Sequence, residues 1–310
     1  MRNGLRKLAS AAVAGGIGLI ALAGRAAAAE VFAPQPWQIY FQPSGSPIMR
    51  AIHGFSNFVL VVITLIVLFV VALLIYVMLR FNARANPTPS RTSHNTLIEV
   101  LWTIGPILIL VAIAIPSFAL LFTEHDASRV IANYDPAKSV TIKATGSQWS
   151  WNYEYLDNGD FAFDSAMLQD NQRKDPANEP RLLAVDNPMV VPVGTVIRMQ
   201  VIGNDVIHSF AVPSLGFKID AVPGRLNEIW FQADHEGVYY GQCSQLCGQN
   251  PSNDPNDMHG HSFMPIEVHA VPPDKFTAWA AAAKNDLPGA YKLLAEKSST
   301  PVAAVTVAGR

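Results

Sequence analysis

Residues 140–155 read Val-Thr-Ile-Lys-Ala-Thr-Gly-Ser-Gln-Trp-Ser-Trp-Asn-Tyr-Glu-Tyr. Within this stretch Val140–Thr145 and Trp149–Tyr155 are short runs in which apolar and polar residues alternate, the pattern of half-buried strands. Similar short runs recur at Met189–Val191, Thr195–Ile202, Glu228–Gln232, Val238–Gly241 and Phe263–His269. Turn residues separate them, as in Asp157-Asn-Gly159, Pro192-Val-Gly194 and Pro223-Gly224. Many short strands between turns predict an antiparallel sandwich or barrel. The polar stretch Asn171–Glu179 reads as a surface loop and Asp274 to about Lys284 as a helix. Ser298–Arg310 reads as a loose tail.

Upstream the chemistry changes. Phe58–Leu79 and Val100–Phe122 carry no charge over 22 and 23 residues. About 20 apolar residues cross a bilayer core, so both read as membrane spans. Pro106 and Pro116 fall inside the second, where a membrane helix tolerates proline. The chain starts with a basic segment, Met-Arg-Asn-Gly-Leu-Arg-Lys, followed by an apolar run and small residues up to Ala29. That order describes a cleavable secretory signal over 1–29. Arg80, Arg84 and Arg91 lie in the loop 80–99 between the spans, which places that loop in the cytoplasm. Both ends of the mature chain are then expected on the periplasmic side of a bacterial-type inner membrane. Residues 1–122 carry a net charge of +6 and residues 123–310 a net of −8. An acidic outer domain attracts basic partners and argues against nucleic acid.

The chain has two cysteines, both in Tyr239-Tyr-Gly-Gln-Cys243-Ser-Gln-Leu-Cys247-Gly248, with His261-Ser-Phe-Met264 downstream and His208 upstream. Thiolates, imidazoles and a thioether form a soft donor set that favours copper over calcium or magnesium. From these residues alone a zinc site and an exported disulfide stay open beside copper. Two thiolates can bridge two metals, a requirement beyond a one-cysteine blue copper site.

The segments Asn204-Asp-Val-Ile-His-Ser-Phe through Asn227, Tyr239–Gly248, His261-Ser-Phe-Met-Pro-Ile266 and Gly146–Tyr155 resemble subunit II of haem–copper cytochrome c oxidases. The likeness runs from the first span to about Trp279. It implies a two-helix transmembrane hairpin followed by an all-β cupredoxin-like Greek-key barrel. The implied organisation is an extracytoplasmic segment 30–54, the hairpin 55–122, a copper A domain 123–272 and a C-terminal helix and tail 273–310. It further implies a dinuclear copper A centre with Cys243 and Cys247 as bridging thiolates and His208 and His261 as terminal imidazoles. Met264 would give its thioether and Gln245 its main-chain carbonyl. By the same resemblance Trp149 is the aromatic through which cytochrome c delivers electrons, and Glu99 stands at the mouth of a proton-uptake route. Asp205 and Asp220 are candidates for the acidic docking surface. The implied partners are oxidase subunits I and III, cytochrome c and the membrane; haem and oxygen reduction, coupled to proton pumping, belong to subunit I.

Two features depart from that pattern. About ten extra residues separate Cys247 from His261, and they bring His259 and Met258 close to the expected ligands. A loop of this size costs little closure entropy, so the site is expected to survive. Between the cysteines the family has a glutamate that also helps to bind magnesium beside subunit I; Gln245 lacks that charge. The expectation is a weaker or absent interfacial magnesium. Two other readings stand beside the main one: a quinol oxidase subunit II without functional copper, and an exported copper-binding module.

Overall fold

The computed structural model describes residues 30–251 and 258–296; the expected signal segment and the C-terminal tail lie outside them. After a short N-terminal strand come two long helices, α1 (Pro47–Arg80) and α2 (Thr96–His125), both apolar and long enough to cross a membrane. The protein therefore has two membrane-spanning helices. Both begin before their charge-free runs because capping side chains fix the starts. Ser46 Oγ accepts from Met49 N–H ahead of Pro47, and Asn95 Oδ1 accepts from Leu97 and Ile98 N–H. Such caps satisfy amides that the helix cannot.

Beyond the helices lies a two-sheet sandwich, the cupredoxin-like domain expected. One sheet runs β4 (Phe161–Ser165), β3 (Ser150–Tyr155), β2 (Val140–Ser147), β6 (Ile197–Gly203), β9 (Asn227–Phe231). The other runs β5 (Met189–Pro192), β11 (Pro265–Val271), β10 (Gly237–Cys243), β7 (His208–Val212), β8 (Phe217–Ala221), with β1 (Glu30–Phe32) added beside β10. The expected antiparallel pairing holds for most neighbours, but β2 pairs with β6, β5 with β11 and β1 with β10 in parallel. Crossovers between sheets bring sequence-distant strands together in the same direction, which a reading of local runs does not reveal. Trp151, Tyr153, Tyr155, Phe210, Phe231, Tyr239 and Trp279 fill the space between the sheets. Helix α3 (Pro273–Ala283) matches the expected one, and a further helix, α4 (Leu287–Glu296), follows it.

The helices are fastened to the sandwich. Ser46 Oγ donates to the Leu215 carbonyl (2.8 Å), Gly45 N–H to that of Ser214 (2.9 Å), and Trp230 Nε1–H to that of Thr123 (3.2 Å). Arg50 pairs with Asp234. A small apolar cluster, Ile48, Ala127, Val196 and Trp230, fills the junction.

Candidate metal centre

Three segments meet at one end of the sandwich. His208 opens β7 and Cys243 closes β10, and the two strands pair through Cys243 and Phe210. Past Cys243 the chain leaves the sheet; Ser244 N–H still donates to the Ser209 carbonyl (3.0 Å) before the loop returns at Cys247. The third segment is the turn His261–Phe263 with Met264, whose carbonyl accepts from Cys243 N–H (2.9 Å). The sulfurs of Cys243 and Cys247 stand 3.7 Å apart. His208 Nδ1 is 3.9 Å from Cys243 Sγ and His261 Nδ1 is 3.7 Å from Cys247 Sγ. Cys243 Sγ lies 3.3 Å from the Gln245 carbonyl. His208, both cysteines and Met264 are buried. Five of the six expected donors thus face one another at short range, with Met264 buried in the adjoining core.

The extra residues after Cys247 do not displace His261. Gln249 and Gly260 bridge as an antiparallel pair, Asn250 N–H donates to the His259 carbonyl (3.2 Å), and His261 N–H donates to that of Gly248 (2.9 Å). The stem closes on itself and returns His261 to the position next to Gly248. Met258 is held elsewhere, with Arg181 Nη2 donating to its sulfur (3.7 Å). His259 is exposed.

Asp205 is exposed, and its carboxylate also touches the site. Its Oδ1 lies 2.8 Å from His208 Nε2 and accepts Val206 N–H (2.7 Å), while Oδ2 accepts Gln148 N–H (2.8 Å). A carboxylate at Nε2 fixes the proton there and leaves the Nδ1 lone pair facing the sulfurs. The spacing Asp205–His208 was the only sequence signal for this role. Gln148 carries no sequence signal for the site, yet its Nε2–H donates to the Cys247 carbonyl (2.8 Å). Trp149 is half-buried, and its Nε1–H donates to that same carbonyl (3.2 Å). Asp220 is exposed. Glu99 lies far along the chain from this cluster, in the first turn of α2, where its carboxylate accepts Asn95 N–H (3.3 Å) and so helps to cap that helix.

The thiols titrate in opposite directions. Burial works to raise Cys243, but its contact with His208 and nearby backbone hydrogen bonds bring it down to about 6. Burial and the adjacent Cys243 charge push Cys247 up to about 12. For His208, burial favours the neutral ring, yet contacts with Cys243 and Asp205 outweigh it and raise the pKa. Burial acts to raise Asp205, but its hydrogen bonds from His208, Gln148 and Val206 hold it below the usual carboxylate range. One thiolate is therefore present near neutral pH, and the second proton is one that a metal must displace.

Two family models match the chain. The one described as "Cytochrome C oxidase subunit II, periplasmic domain" covers residues 140–271, and "Cytochrome C oxidase subunit II, transmembrane domain" covers residues 34–120. A probable cytochrome c oxidase subunit 2 of Rickettsia bellii (strain RML369-C) is 49% identical over 249 residues, 80% of this chain and 85% of that protein. Cytochrome c oxidase subunit 2 of Cereibacter sphaeroides is 40% identical over 284 residues, 86% of each chain. Among solved structures, the periplasmic domain of subunit II of the cytochrome oxidase of Bradyrhizobium japonicum is 53% identical, covering 47% of this chain and 93% of that one with a TM-score of 0.40.

Proposed function

Since the chain belongs to the cytochrome c oxidase subunit II family, we propose that it takes electrons from reduced cytochrome c and passes them to haem in subunit I of a proton-pumping terminal oxidase. The observation that carries this reading is the convergence of two thiols, two imidazole Nδ1 atoms and a main-chain carbonyl within 3.3–3.9 Å contacts of one another. The donor set fits a soft metal, and its second thiol suits two metals better than one. His208, Cys243, Gln245 through its carbonyl, Cys247, His261 and Met264 are the proposed ligands. A copper pair held there would supply a one-electron carrier.

The protein side of the mechanism follows from the contacts. Asp205 holds the Nε2 proton of His208 and keeps Nδ1 free for ligation. Gln148 and Trp149 both donate to the Cys247 carbonyl, which steadies the loop between the thiols. The indole of Trp149 also links the surface to the Cys247 main chain, and we assign it the role of electron acceptor from the donor protein. Burial of His208, the cysteines and Met264 excludes water, so little solvent has to reorganise when charge arrives. Glu99 is proposed as the entrance of a proton-uptake route. Its capping bond to Asn95 is compatible with that role, because a first-turn carboxylate favours the helix N-terminus whatever else it does.

The remaining assignments complete the reading. Residues 1–29 are proposed as a cleaved signal, and loop 80–99 as cytoplasmic. The sandwich then faces the periplasm, with subunits I and III as membrane partners. The test is copper loading of the full chain followed by electron paramagnetic resonance. A purple species with one unpaired electron shared by two copper nuclei is expected. A single-copper signal, or no binding, would favour a copper carrier or a copper-free quinol oxidase subunit instead.

A further inference from the structure

Between β1 and α1 the chain makes an excursion that the proposed electron path does not use. Phe32 is buried and stacks on Tyr239 (centroids 4.1 Å apart), while Gly45 and Ser46 are bonded to the base of the sandwich. Both ends are thus anchored to the domain, yet the middle descends along α1. Tyr40 Oη donates to Asn57 Oδ1 (2.8 Å), and the His53 ring stacks on Phe41 (5.6 Å) and lies beside Tyr40 (5.6 Å). Ile39 and Tyr40 share a groove of about 360 Å³ with Ser56, Val59, Leu60 and Ile63.

Those contacts fix the depth of the hairpin. Arg50, His53, Ser56 and Asn57 occupy the first turns of α1, and its apolar run starts at Phe58, eleven residues past Pro47, so roughly 16 Å of more polar helix precedes it. A tip level with residues 56–63 sits where headgroups give way to acyl chains. Its turn is held by its own bonds: Gln38 N–H donates to the Gln35 carbonyl (3.1 Å), Gln35 N–H to Gln38 Oε1 (2.9 Å), and Gln38 Nε2–H to the Phe41 carbonyl (2.7 Å). Trp37 adopts a left-handed backbone (φ 61°), a conformation that non-glycine residues seldom take. What the turn presents is apolar: Trp37 is 97% exposed and Ile39 101%. No carboxylate or lysine occurs between Val31 and Met49, so nothing in the segment opposes burial in an apolar phase.

We propose that residues 35–41 form a membrane-interface anchor, with Trp37 and Ile39 seated among the phospholipids of the leaflet on the sandwich side. The occupant is lipid because the patch continues the exposed apolar surface of α1, and a tryptophan at headgroup level is the side chain that an interface favours. The anchor is a second attachment beside the spans and acts as a depth stop for the domain.

The test uses the full chain in the membranes of the cells that make it. The photo-reactive residue p-benzoyl-phenylalanine is placed at position 37, at position 39, and at 171 in the exposed loop of the sandwich. After irradiation, mass spectrometry of the chain should find phospholipid adducts at 37 and 39 and none at 171. Crosslinks to another polypeptide at 37 and 39, no lipid adduct at either, or equal lipid labelling at 171 would each overturn the proposal. A second measurement compares native protein with Trp37→Phe in bilayers of lipid brominated near the carbonyl. The native chain should lose fluorescence that the variant does not, and equal quenching counts against the anchor.

Discussion

Replacing Asp205 by alanine separates the part of the site that folds the protein from the part that holds metal. The carboxylate receives three contacts: His208 Nε2 at 2.8 Å, Gln148 N–H at 2.8 Å and Val206 N–H at 2.7 Å. Its side chain is one-third exposed, so water takes over part of what is lost. A charged hydrogen bond worth about 1.5–3 kcal/mol when buried is discounted here to roughly 1 kcal/mol of folding stability. The effect on metal is larger, because the carboxylate fixes the tautomer and direction of a ligating imidazole. Losing such a partner lowers metal affinity about 10- to 100-fold, or about 1.4–2.7 kcal/mol. The assay is competition for copper between the full chain in detergent and a chelator, read by absorbance of the bound metal, with thermal unfolding of the copper-free protein alongside. Asp205→Asn keeps one oxygen that can accept from Nε2–H and should lie between the two. If Asp205→Ala bound copper within about threefold of the native chain with an unchanged spectrum, the orienting role built on the usual effect of such partners would be wrong.

Further outcomes follow from the same geometry. His261→Ala should abolish the near-infrared band of the copper-loaded protein and His259→Ala should leave it; the reverse result would move the ligand into the insert. Copper uptake should rise with pH through a window above 6.5, the ordinary histidine value, because the folded pKa of His208 is raised and copper needs its neutral ring. The same shift means that His208 stabilises the copper-free fold below that window and stops doing so as pH climbs through it; uptake that is flat with pH would contradict the assignment. Gly241→Ala drives a Cβ into the Ala211 carbonyl oxygen, a backbone atom that moves only if β10 and β7 part. A loss of about 3 kcal/mol is expected, seen as a clear fall in melting temperature, and an unchanged melting point would show that the strands yield freely. Metal analysis of the purified oxidase should find magnesium weakly held or absent beside Gln245, and tightly bound stoichiometric magnesium would refute that.

The parts of the fold that sequence revealed are those with a one-dimensional signature. The spans announce themselves by length, and β2, β3, β6 and β10 by short apolar or alternating runs near their observed bounds. Strand β7 was missed as a strand because all five of its residues are buried, which erases alternation. Strands β4 and β8 are short and sit beside turn residues that masked them. The site was legible where ligand types are rare, as with two cysteines in 310 residues. Asp205 and Gln148 were not legible in their actual roles, because an acid or an amide is ordinary until a fold brings it against His208 or Cys247. The hairpin at 35–41 was equally silent, since its meaning depends on which turn of α1 it lies beside.

The bonds from Ser46 to Leu215 and from Trp230 to Thr123 have a mechanical consequence. Each helix is tied to a different sheet, Ser46 at the turn that follows β7 and Thr123 at β9. The sandwich is therefore mounted on two legs and resists both swivelling and rocking. The height of His208 above the bilayer is settled when the chain folds, so a tunnelling distance to any acceptor fixed in the membrane would be built into the architecture rather than reached by a search.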